Sequence, residues 1–265
     1  LNINKPLNLN KDKILSYDKK TYEKYFNTYI KFPGSSTENF WKNFVKYFEK
    51  EWQMQEHKNS NICIIDYEVG NLLSVKRSVE ISGANAIISN DREKILSSSK
   101  VILPGVGAFK KAMDLIKKYS LHNIVNEVVK KKIPLLGICL GMQLLFDESY
   151  EFGKEKGLGL LKGSIKKLPE NSKDKIFKIP SIGWNELKLK KKNNLIKDTN
   201  KKSSVYFLHS YMAIPDDKSL ITSTYDFYGY DVVASVEKDN IYGCQFHPEK
   251  SGDVGLNIIK NFVRI

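Results

Sequence analysis

Residues 134–141 read Pro-Leu-Leu-Gly-Ile-Cys-Leu-Gly, a short apolar run that leads into a cysteine with a glycine on either side. The run predicts a buried strand, and the residues after it predict a helix that begins near Leu140. Glycine suits both flanks because a Cβ there would collide with neighbouring backbone, and a helix N-terminus favours the thiolate of Cys139. The pattern predicts a nucleophile held on a strained turn. On its own it is equally typical of a small buried cysteine.

From Asn61 onward, short β-branched runs alternate with segments of helical spacing on both sides of this turn. The predicted strands are Ile62–Asp66, Ala86–Ser89, Val101–Leu103, Pro134–Ile138, Val205–Leu208, Val232–Val236 and Tyr242–Phe246. The predicted helices are Leu72–Ser82, a segment through Met113, Ile124–Lys131, a segment from about Leu140, and Val254–Val263. This alternation predicts an α/β fold, with an open, mostly parallel sheet flanked by helices.

A second group of polar residues follows the last predicted strand, where residues 244–251 read Cys-Gln-Phe-His-Pro-Glu-Lys-Ser. His247 and Glu249 are two residues apart, and in an extended chain such residues point the same way. Glu249 can therefore fix the orientation and tautomer of the His247 ring, which leaves the other ring nitrogen for a thiol. Together with Cys139, these residues predict a Cys-His-Glu triad. The other two cysteines lie in apolar strands and are predicted to be core thiols.

A glycine-rich turn, Pro104–Gly107, follows the predicted strand Val101–Leu103. It falls on the sheet edge where Cys139 emerges, because both lie at the carboxyl ends of parallel strands. Its backbone N–H groups can supply an oxyanion hole. No Lys-Ser/Thr pair follows in the arrangement of a phosphate-binding loop, so a nucleotide site is not favoured.

Residues 1–60 differ in composition from the rest and hold 12 of the 30 aromatic residues. Lys19–Ile30 and Asn39–Trp52 are predicted to be helices, and the second carries a broad apolar stripe. We therefore expect a helical, aromatic-rich extension or linker over residues 1–60 and a catalytic domain over residues 61–265. The stripe fits packing on the main domain, a remnant of a preceding coding unit, or a docking helix for another protein.

Composition excludes several classes of protein. The net charge is +13, but the lysines are spread over every segment and no docking motif accompanies them, so nucleic-acid binding is not expected. No run of about 18 uncharged apolar residues occurs, which excludes a membrane-spanning helix. Three cysteines do not suggest a disulfide framework, and we see no secretory leader. A soluble, cytoplasmic protein is expected, with a start that suggests a trimmed or fragmentary N-terminus.

Three segments resemble the signatures of class I glutamine amidotransferase domains: Gly137–Gln143, Pro104–Phe109 and Gln245–Ser251. Within that superfamily, the chain resembles the glutaminase subunits of imidazole glycerol phosphate synthases. The residues that carry this second resemblance are Asp66-Tyr67, Gly70–Leu72, Ile179-Pro180, Gly183–Asn185 and Tyr206–Tyr211. The resemblance spans residues 61–265 and implies a flavodoxin-like fold.

The resemblance implies an enzyme that hydrolyses L-glutamine and passes ammonia to a (β/α)8-barrel cyclase subunit in histidine biosynthesis, as a heterodimer and with no cofactor or metal. Cys139 would be the nucleophile, His247 the base and acid, and Glu249 its orienter. The residues implied to form the oxyanion hole and the glutamine site are Gly105, Val106, Gly107, Leu140, Gln143, His209, Ser210 and Tyr211. Of these, Gly107 and Leu140 would offer the oxyanion N–H groups. Asn71 and Lys250 would lie toward the partner.

Two positions depart from the family pattern, which commonly has glycine where this chain has Glu68 and histidine where it has Ser181. Both lie on segments expected near the partner or the channel entrance, so the ammonia acceptor stays open. One alternative is a paralogous glutaminase that feeds a sugar amidotransferase in surface polysaccharide biosynthesis. Another, from a different class, is a scaffold partner that kept the fold and lost the chemistry.

Overall fold

The computed structural model describes residues 60–172, 175–199 and 203–265. The two helices predicted at Lys19–Ile30 and Asn39–Trp52 lie outside the described residues. None of the helices in the described part of the chain combines the length and the apolar character that a membrane crossing requires.

The described residues form sixteen strands and six α-helices. The strands are β1 (Asn61–Ile65), β2 (Asn85–Ser89), β3 (Lys100–Leu103), β4 (Leu135–Ile138), β5 (Phe146–Ser149), β6 (Glu155–Lys156), β7 (Leu161–Lys167), β8 (Asn171–Ser172), β9 (Lys175–Ile176), β10 (Ser181–Glu186), β11 (Lys188–Leu189), β12 (Ser204–His209), β13 (Tyr211–Pro215), β14 (Ile221–Phe227), β15 (Tyr230–Lys238) and β16 (Ile241–Cys244). The α-helices are α1 (Leu72–Ile81), α2 (Arg92–Leu96), α3 (Phe109–Lys118), α4 (Leu121–Lys130), α5 (Leu140–Leu144) and α6 (Gly252–Val263).

The central sheet has eight strands in the order β11-β14-β15-β16-β4-β3-β1-β2. The five strands from β2 to β16 pair in parallel, and their order is that of a flavodoxin-like sheet. The remaining three strands add antiparallel pairs at one side, so the sheet is mixed. The expected open sheet flanked by helices is confirmed, with parallel pairs in the majority.

Helices cover both faces of the sheet, which is why its parallel strands are apolar along nearly their whole length. Along β1, Ile62 and Ile64 belong to one core and Cys63 and Ile65 to the other, because successive side chains point to opposite faces. Helices α1 and α6 pack on the first face, and α3 and α4 pack on the second. In α3 the buried residues recur at helical spacing and form a single apolar stripe.

Sequence periodicity located the five parallel strands and the longer helices within a few residues, but it missed several elements, among them β7, β10, β13 and β14. Helix α2 is five residues long, too short to show a period. Strand β12 forms where Val205–Leu208 was predicted, yet it pairs with β10 in a separate two-stranded sheet. A further four-stranded sheet, β13-β7-β5-β6, lies beside the main one. Pairing partners depend on contacts distant in sequence, which the local pattern does not contain.

Candidate active site

Cys139 lies on the turn between β4 and α5, with a φ of 53° and a ψ of −111°. A positive φ is uncommon for a residue with a side chain, and it holds the thiol up at the end of the strand. The flanking glycines permit this turn. A Cβ on Gly141 would lie 1.8 Å from the Leu103 carbonyl oxygen, and one on Gly137 would lie 2.8 Å from the backbone of Met142. The tight packing expected around the cysteine is therefore present.

Strand pairing brings His247 to this turn. Strands β4 and β16 pair in parallel with Ile138 opposite Cys244, and the Cys139 N–H donates to the Cys244 carbonyl at 2.8 Å. The chain after β16 therefore continues beside the cysteine. His247 and Cys139 line the same cavity, and their interaction favours the protonated form of the ring. Two segments that are more than a hundred residues apart in sequence meet because their strands are neighbours in the sheet.

Glu249 fixes the His247 ring from the other side. Its Oε1 lies 2.8 Å from His247 Nδ1, and both side chains are almost completely buried. With Nδ1 bound to the carboxylate, Nε2 is the nitrogen available to the thiol. Burial of the ring opposes its protonation, but the interactions with Cys139 and Glu249 outweigh this and raise the pKa of His247 to about 10. A protonated ring stabilises a neighbouring thiolate.

The glycine-rich turn lies directly over α5. The Tyr67 hydroxyl donates to the Pro104 carbonyl at 2.6 Å and anchors the start of the turn. Gly107 has a φ of 92°, a conformation that favours glycine. The Leu140 N–H, one of the two expected oxyanion donors, is directed at the Gly105 carbonyl at 3.3 Å. In this structure that donor is therefore occupied by backbone.

A cavity of about 460 Å³ opens in front of Cys139. Nine of the predicted site residues line it: His247 and, with it, Val106, Gly107, Cys139, Leu140, Gln143, His209, Ser210 and Tyr211. Gly105 and Glu249 do not line it. The lining residues that sequence reasoning missed are Glu151, Phe152, Lys167, Ile179, Pro180 and Leu208.

Glu151 is the acidic residue of this cavity wall. Its Oε2 accepts a hydrogen bond from the Phe109 N–H at 2.6 Å, at the first turn of α3. Helix N-termini favour such a carboxylate, which the backbone thereby holds in place. The residue lies outside the three signature segments, in the turn between β5 and β6, so no local signal in the sequence marked it.

His209 also lines the cavity, and hydrogen bonds hold both nitrogens of its ring. Burial lowers its pKa to about 4, so the ring is neutral at physiological pH. Its Nδ1 lies 2.8 Å from the Tyr211 carbonyl oxygen, and its Nε2 lies 2.8 Å from the Tyr225 hydroxyl. Ser181, one of the two departures from the family pattern, also hydrogen-bonds Tyr225. Ser181 therefore contacts Tyr225, which in turn holds the His209 ring at the cavity wall.

The two residues predicted at the partner interface, Asn71 and Lys250, lie away from the cavity lining. Asn71 precedes α1, and Lys250 is exposed at the end of the short turn Pro248–Lys250. The elements that carry them contact each other. Glu68 has a φ of 69°, and its carboxylate is bound by Lys118 and Tyr119 of the neighbouring helix region. The partner role of these residues stays a prediction.

Comparison with known proteins gives the class. The family model described as glutamine amidotransferase class-I matches residues 63–265. The solved structure of PurLQS from Thermotoga maritima has a TM-score of 0.60 at 20% identity, over 77% of this chain and 97% of that one. A second, described as glutamine amidotransferase, has a TM-score of 0.59 at 17% identity, over 76% and 98%. These two likenesses show the fold, and the family match shows that the chain belongs to the class-I glutamine amidotransferases.

Curated relatives narrow the family. Imidazole glycerol phosphate synthase subunit HisH of Pelagibacter ubique (strain HTCC1062) is 46% identical over 210 residues, which cover 77% of this chain and all of that protein. The HisH subunit of Bacillus thuringiensis (strain Al Hakam) is 48% identical over 201 residues, covering 76% of this chain and 93% of that protein. Within its class, the chain belongs to the family of HisH subunits. The resemblance inferred from the sequence motifs is confirmed.

Proposed function

We propose that this chain is the glutaminase subunit of an imidazole glycerol phosphate synthase and that it hydrolyses L-glutamine through a thioester on Cys139. The observation that carries the proposal is the position of the Cys139 thiol at the wall of a cavity that His247 also lines. The Nδ1 of the His247 ring is in turn bound by the buried carboxylate of Glu249. A nucleophile, a base and an orienting acid in this arrangement perform acyl transfer.

In the first half-reaction, the Cys139 thiolate attacks the carboxamide carbon of glutamine. The tetrahedral intermediate collapses as the C–N bond breaks, and His247 donates its proton to the departing ammonia. In the second half-reaction, His247 takes a proton from water, which attacks the thioester. Glutamate leaves, the thiolate is restored, and the ring is protonated again. Glu249 keeps the ring in one tautomer throughout.

The developing negative charge on the carboxamide oxygen needs backbone donors, for which we propose the N–H groups of Leu140 and Gly107. Because the Leu140 N–H is bound to the Gly105 carbonyl, that carbonyl has to turn away before the donor can serve. One such donor contributes about 2.7–4 kcal/mol to transition-state stabilisation. We therefore expect low glutaminase activity for the isolated chain, with the active arrangement formed when an acceptor enzyme docks.

The substrate itself requires partners for its ammonium group. We propose Gln143 and Glu151, both of which line the cavity. Glu151 Oε2 is held by the Phe109 N–H, which leaves Oε1 for an ammonium donor. The Ser210 and Tyr211 backbone completes the wall that faces the substrate.

The partner we propose is a (β/α)8-barrel cyclase, bound as a heterodimer through the surface that carries Asn71 and Lys250. Ammonia released to water at neutral pH is protonated and lost as a nucleophile, so a docked acceptor is chemically required. The cyclase would use the ammonia to form imidazole glycerol phosphate and aminoimidazole carboxamide ribotide. We propose a cytoplasmic location, which the three free cysteines support.

We further propose that residues 61–265 are the amidotransferase domain and residues 1–60 an extension or linker. The match of the family model, which begins at residue 63, and the change in composition near Ser60 support this division. The match to synthase subunits along nearly their whole length favours this acceptor over a sugar amidotransferase. The intact Cys-His-Glu geometry disfavours a scaffold without chemistry.

Labelling with a diazoketone analogue of glutamine tests the proposal. Cys139 should be the modified residue in peptide mapping by mass spectrometry, and Cys139→Ala should abolish the labelling. Cys63→Ala is the matched control, because Cys63 is a buried thiol outside the cavity, and it should label as the wild type does. Glutaminase activity should rise when the cyclase subunit is added. Equal labelling of Cys139→Ala and the wild type would contradict the mechanism.

A further inference from the structure

Gln245, which immediately follows β16, is a buried polar residue that the mechanism above does not use. It is completely buried, and its backbone N–H donates to the Ala234 carbonyl at 2.8 Å. Its side chain lies between two residues of the site. Oε1 is 2.9 Å from Gln143 Nε2, and Nε2 is 3.7 Å from Cys139 Sγ. Such a position at the nucleophile calls for a chemical explanation.

The proton positions on the His209 ring follow from the hydrogen-bonding chemistry of its partners, Tyr211 and Tyr225. The carbonyl oxygen of Tyr211 can only accept hydrogen bonds. The neutral His209 ring therefore carries its proton on Nδ1, donates it to Tyr211, and accepts from the Tyr225 hydroxyl at Nε2. Gln143 Nε2 lies 3.0 Å from the same Tyr211 oxygen. That contact identifies the nitrogen end of the Gln143 amide.

The orientation of the Gln245 amide, beside the Cys139 sulfur, follows by the same reasoning. Gln143 Nε2 has two N–H groups, and one donates to Tyr211 while the other donates to Gln245 Oε1. Because Gln245 accepts with its oxygen there, its nitrogen end must face Cys139. The amide orientation is thus fixed by an acceptor-only carbonyl two hydrogen bonds away, and not by a choice between two similar ends. The thiol of Cys139 consequently faces an N–H donor.

We propose, on the basis of the glutaminase function above, that Gln245 is a positioning residue that stabilises the Cys139 thiolate and holds Gln143 with its carbonyl oxygen toward the substrate. Both N–H groups of Gln143 are used, and no hydrogen bond to its Oε1 is found within the described residues. Gln143 lines the cavity, so this free acceptor serves the ammonium group of glutamine. The Gln245 side chain thereby affects both the ionisation of the Cys139 thiol and the binding of the glutamine ammonium group by Gln143.

The pH dependence of iodoacetamide alkylation at Cys139 tests the first part in the full chain. Gln245→Met keeps the length of the side chain and removes the donor, so the alkylation midpoint should rise by about one pH unit. Gln143→Met removes the hydrogen bond that orients the Gln245 amide but keeps its N–H groups, so the midpoint should rise less than in Gln245→Met. A change in packing alone would not separate these two variants, because both bury a methionine in the same group.

Protection of Cys139 by glutamine tests the second part. Gln143→Met should raise the glutamine concentration needed for half protection by about tenfold, since an acceptor for a charged group is lost. Gln245→Met should raise it as well, because the Gln143 amide is then free to rotate. Ser223→Ala is the matched control: it removes a buried hydrogen bond to Ser235 outside this group and should change neither readout.

Thermal unfolding establishes that each variant is folded. If Gln245→Met does not fold, Gln245→Asn keeps a buried amide that is one methylene too short to span both partners, and the same shift of the midpoint is expected. A wild-type midpoint in a folded Gln245 variant overturns the proposal. Failure of the proposed function is distinguishable, because wild-type Cys139 would then resist the glutamine analogue and gain no protection from glutamine.

Discussion

The hydrogen bond between His247 and Glu249 helps to keep the His247 ring protonated, and Glu249→Gln is the variant that isolates this contribution. The glutamine oxygen can still accept from Nδ1 at the position of Oε1. The negative charge is lost, however, and the new amide nitrogen takes the place of Oε2, a buried atom without a hydrogen-bond partner in the described part of the chain. The substitution therefore keeps the shape of the side chain and changes its electrostatics.

The size of the expected change in the pKa of His247 follows from the kind of hydrogen bond that is replaced. A bond to a charged group contributes about 1.5–3 kcal/mol, and a neutral one about 0.5–1.5 kcal/mol. The loss of about 1–2 kcal/mol of preference for the protonated ring lowers the pKa of His247 by about one unit. The unpaired amide nitrogen also lowers the free energy of unfolding by about 1–3 kcal/mol, and this loss does not depend on pH.

The assay is an NMR titration of the His247 ring. A Cys139→Ala background removes the coupled thiol, so that the difference between Cys139→Ala and Cys139→Ala/Glu249→Gln reports the carboxylate alone. We expect the titration midpoint to be lower in the double variant. An unchanged midpoint would refute the assignment of Glu249 as the group that holds the proton on the ring.

Stability should change with pH in the same sense. The folded-state pKa of His247 lies above its ordinary value of 6.5, at about 10, so protonation stabilises the fold. That contribution is fully present below about pH 6.5 and is lost as the pH rises through the folded-state pKa. Chemical unfolding of the wild type between pH 7 and pH 10 should show this loss, and Glu249→Gln should show less of it. An equal loss in both would contradict the sign of the coupling.

Two further predictions concern the turn and the pocket. Gly141→Ala places a Cβ against the Leu103 carbonyl oxygen, so the protein should lose about 3 kcal/mol or more of unfolding free energy, measured in urea, and Cys139 should lose its labelling by the glutamine analogue. Glu151→Gln keeps the acceptor for the Phe109 N–H but removes the charge, and it should raise the glutamine concentration that protects Cys139 by about tenfold. Glu148→Gln, in the adjoining strand but outside the cavity lining, is the control, and an equal effect in both would contradict a direct role.

Sequence patterns predicted the turn at Cys139 because its requirements are local. A strand, a helix start and two glycines lie within eight residues, and a Cβ on Gly137 would meet the backbone of Met142, only five residues further along. The pair His247 and Glu249 was predictable from the sequence for the same reason, since two residues separated by one proline can contact each other. Glu151 was not, because it reaches the cavity from a turn whose sequence carries no pattern of its own.

The orientation of the backbone at the site was also beyond the sequence. Leu140 was identified as an oxyanion donor, but only the fold shows that the Gly105 carbonyl occupies its N–H. Likewise, the motif contained Gln245 without indicating a contact with Cys139 or Gln143. Such contacts depend on the angle between packed elements, and a change of a single peptide plane alters them without any change in residue type.

The amino-acid sequence was sufficient to predict the class of fold and to propose the nucleophile and the residues that serve it, because hydrophobic period, turn chemistry and side-chain chemistry are properties of short segments. The folded chain was needed to learn which strands are neighbours and that β12 pairs outside the main sheet. It was also needed to learn that the Gln245 amide contacts both Gln143 and Cys139. The physical reason is that strand pairing and buried hydrogen bonds are selected by contacts between segments far apart in the chain, whose free energies exist only once the chain is folded.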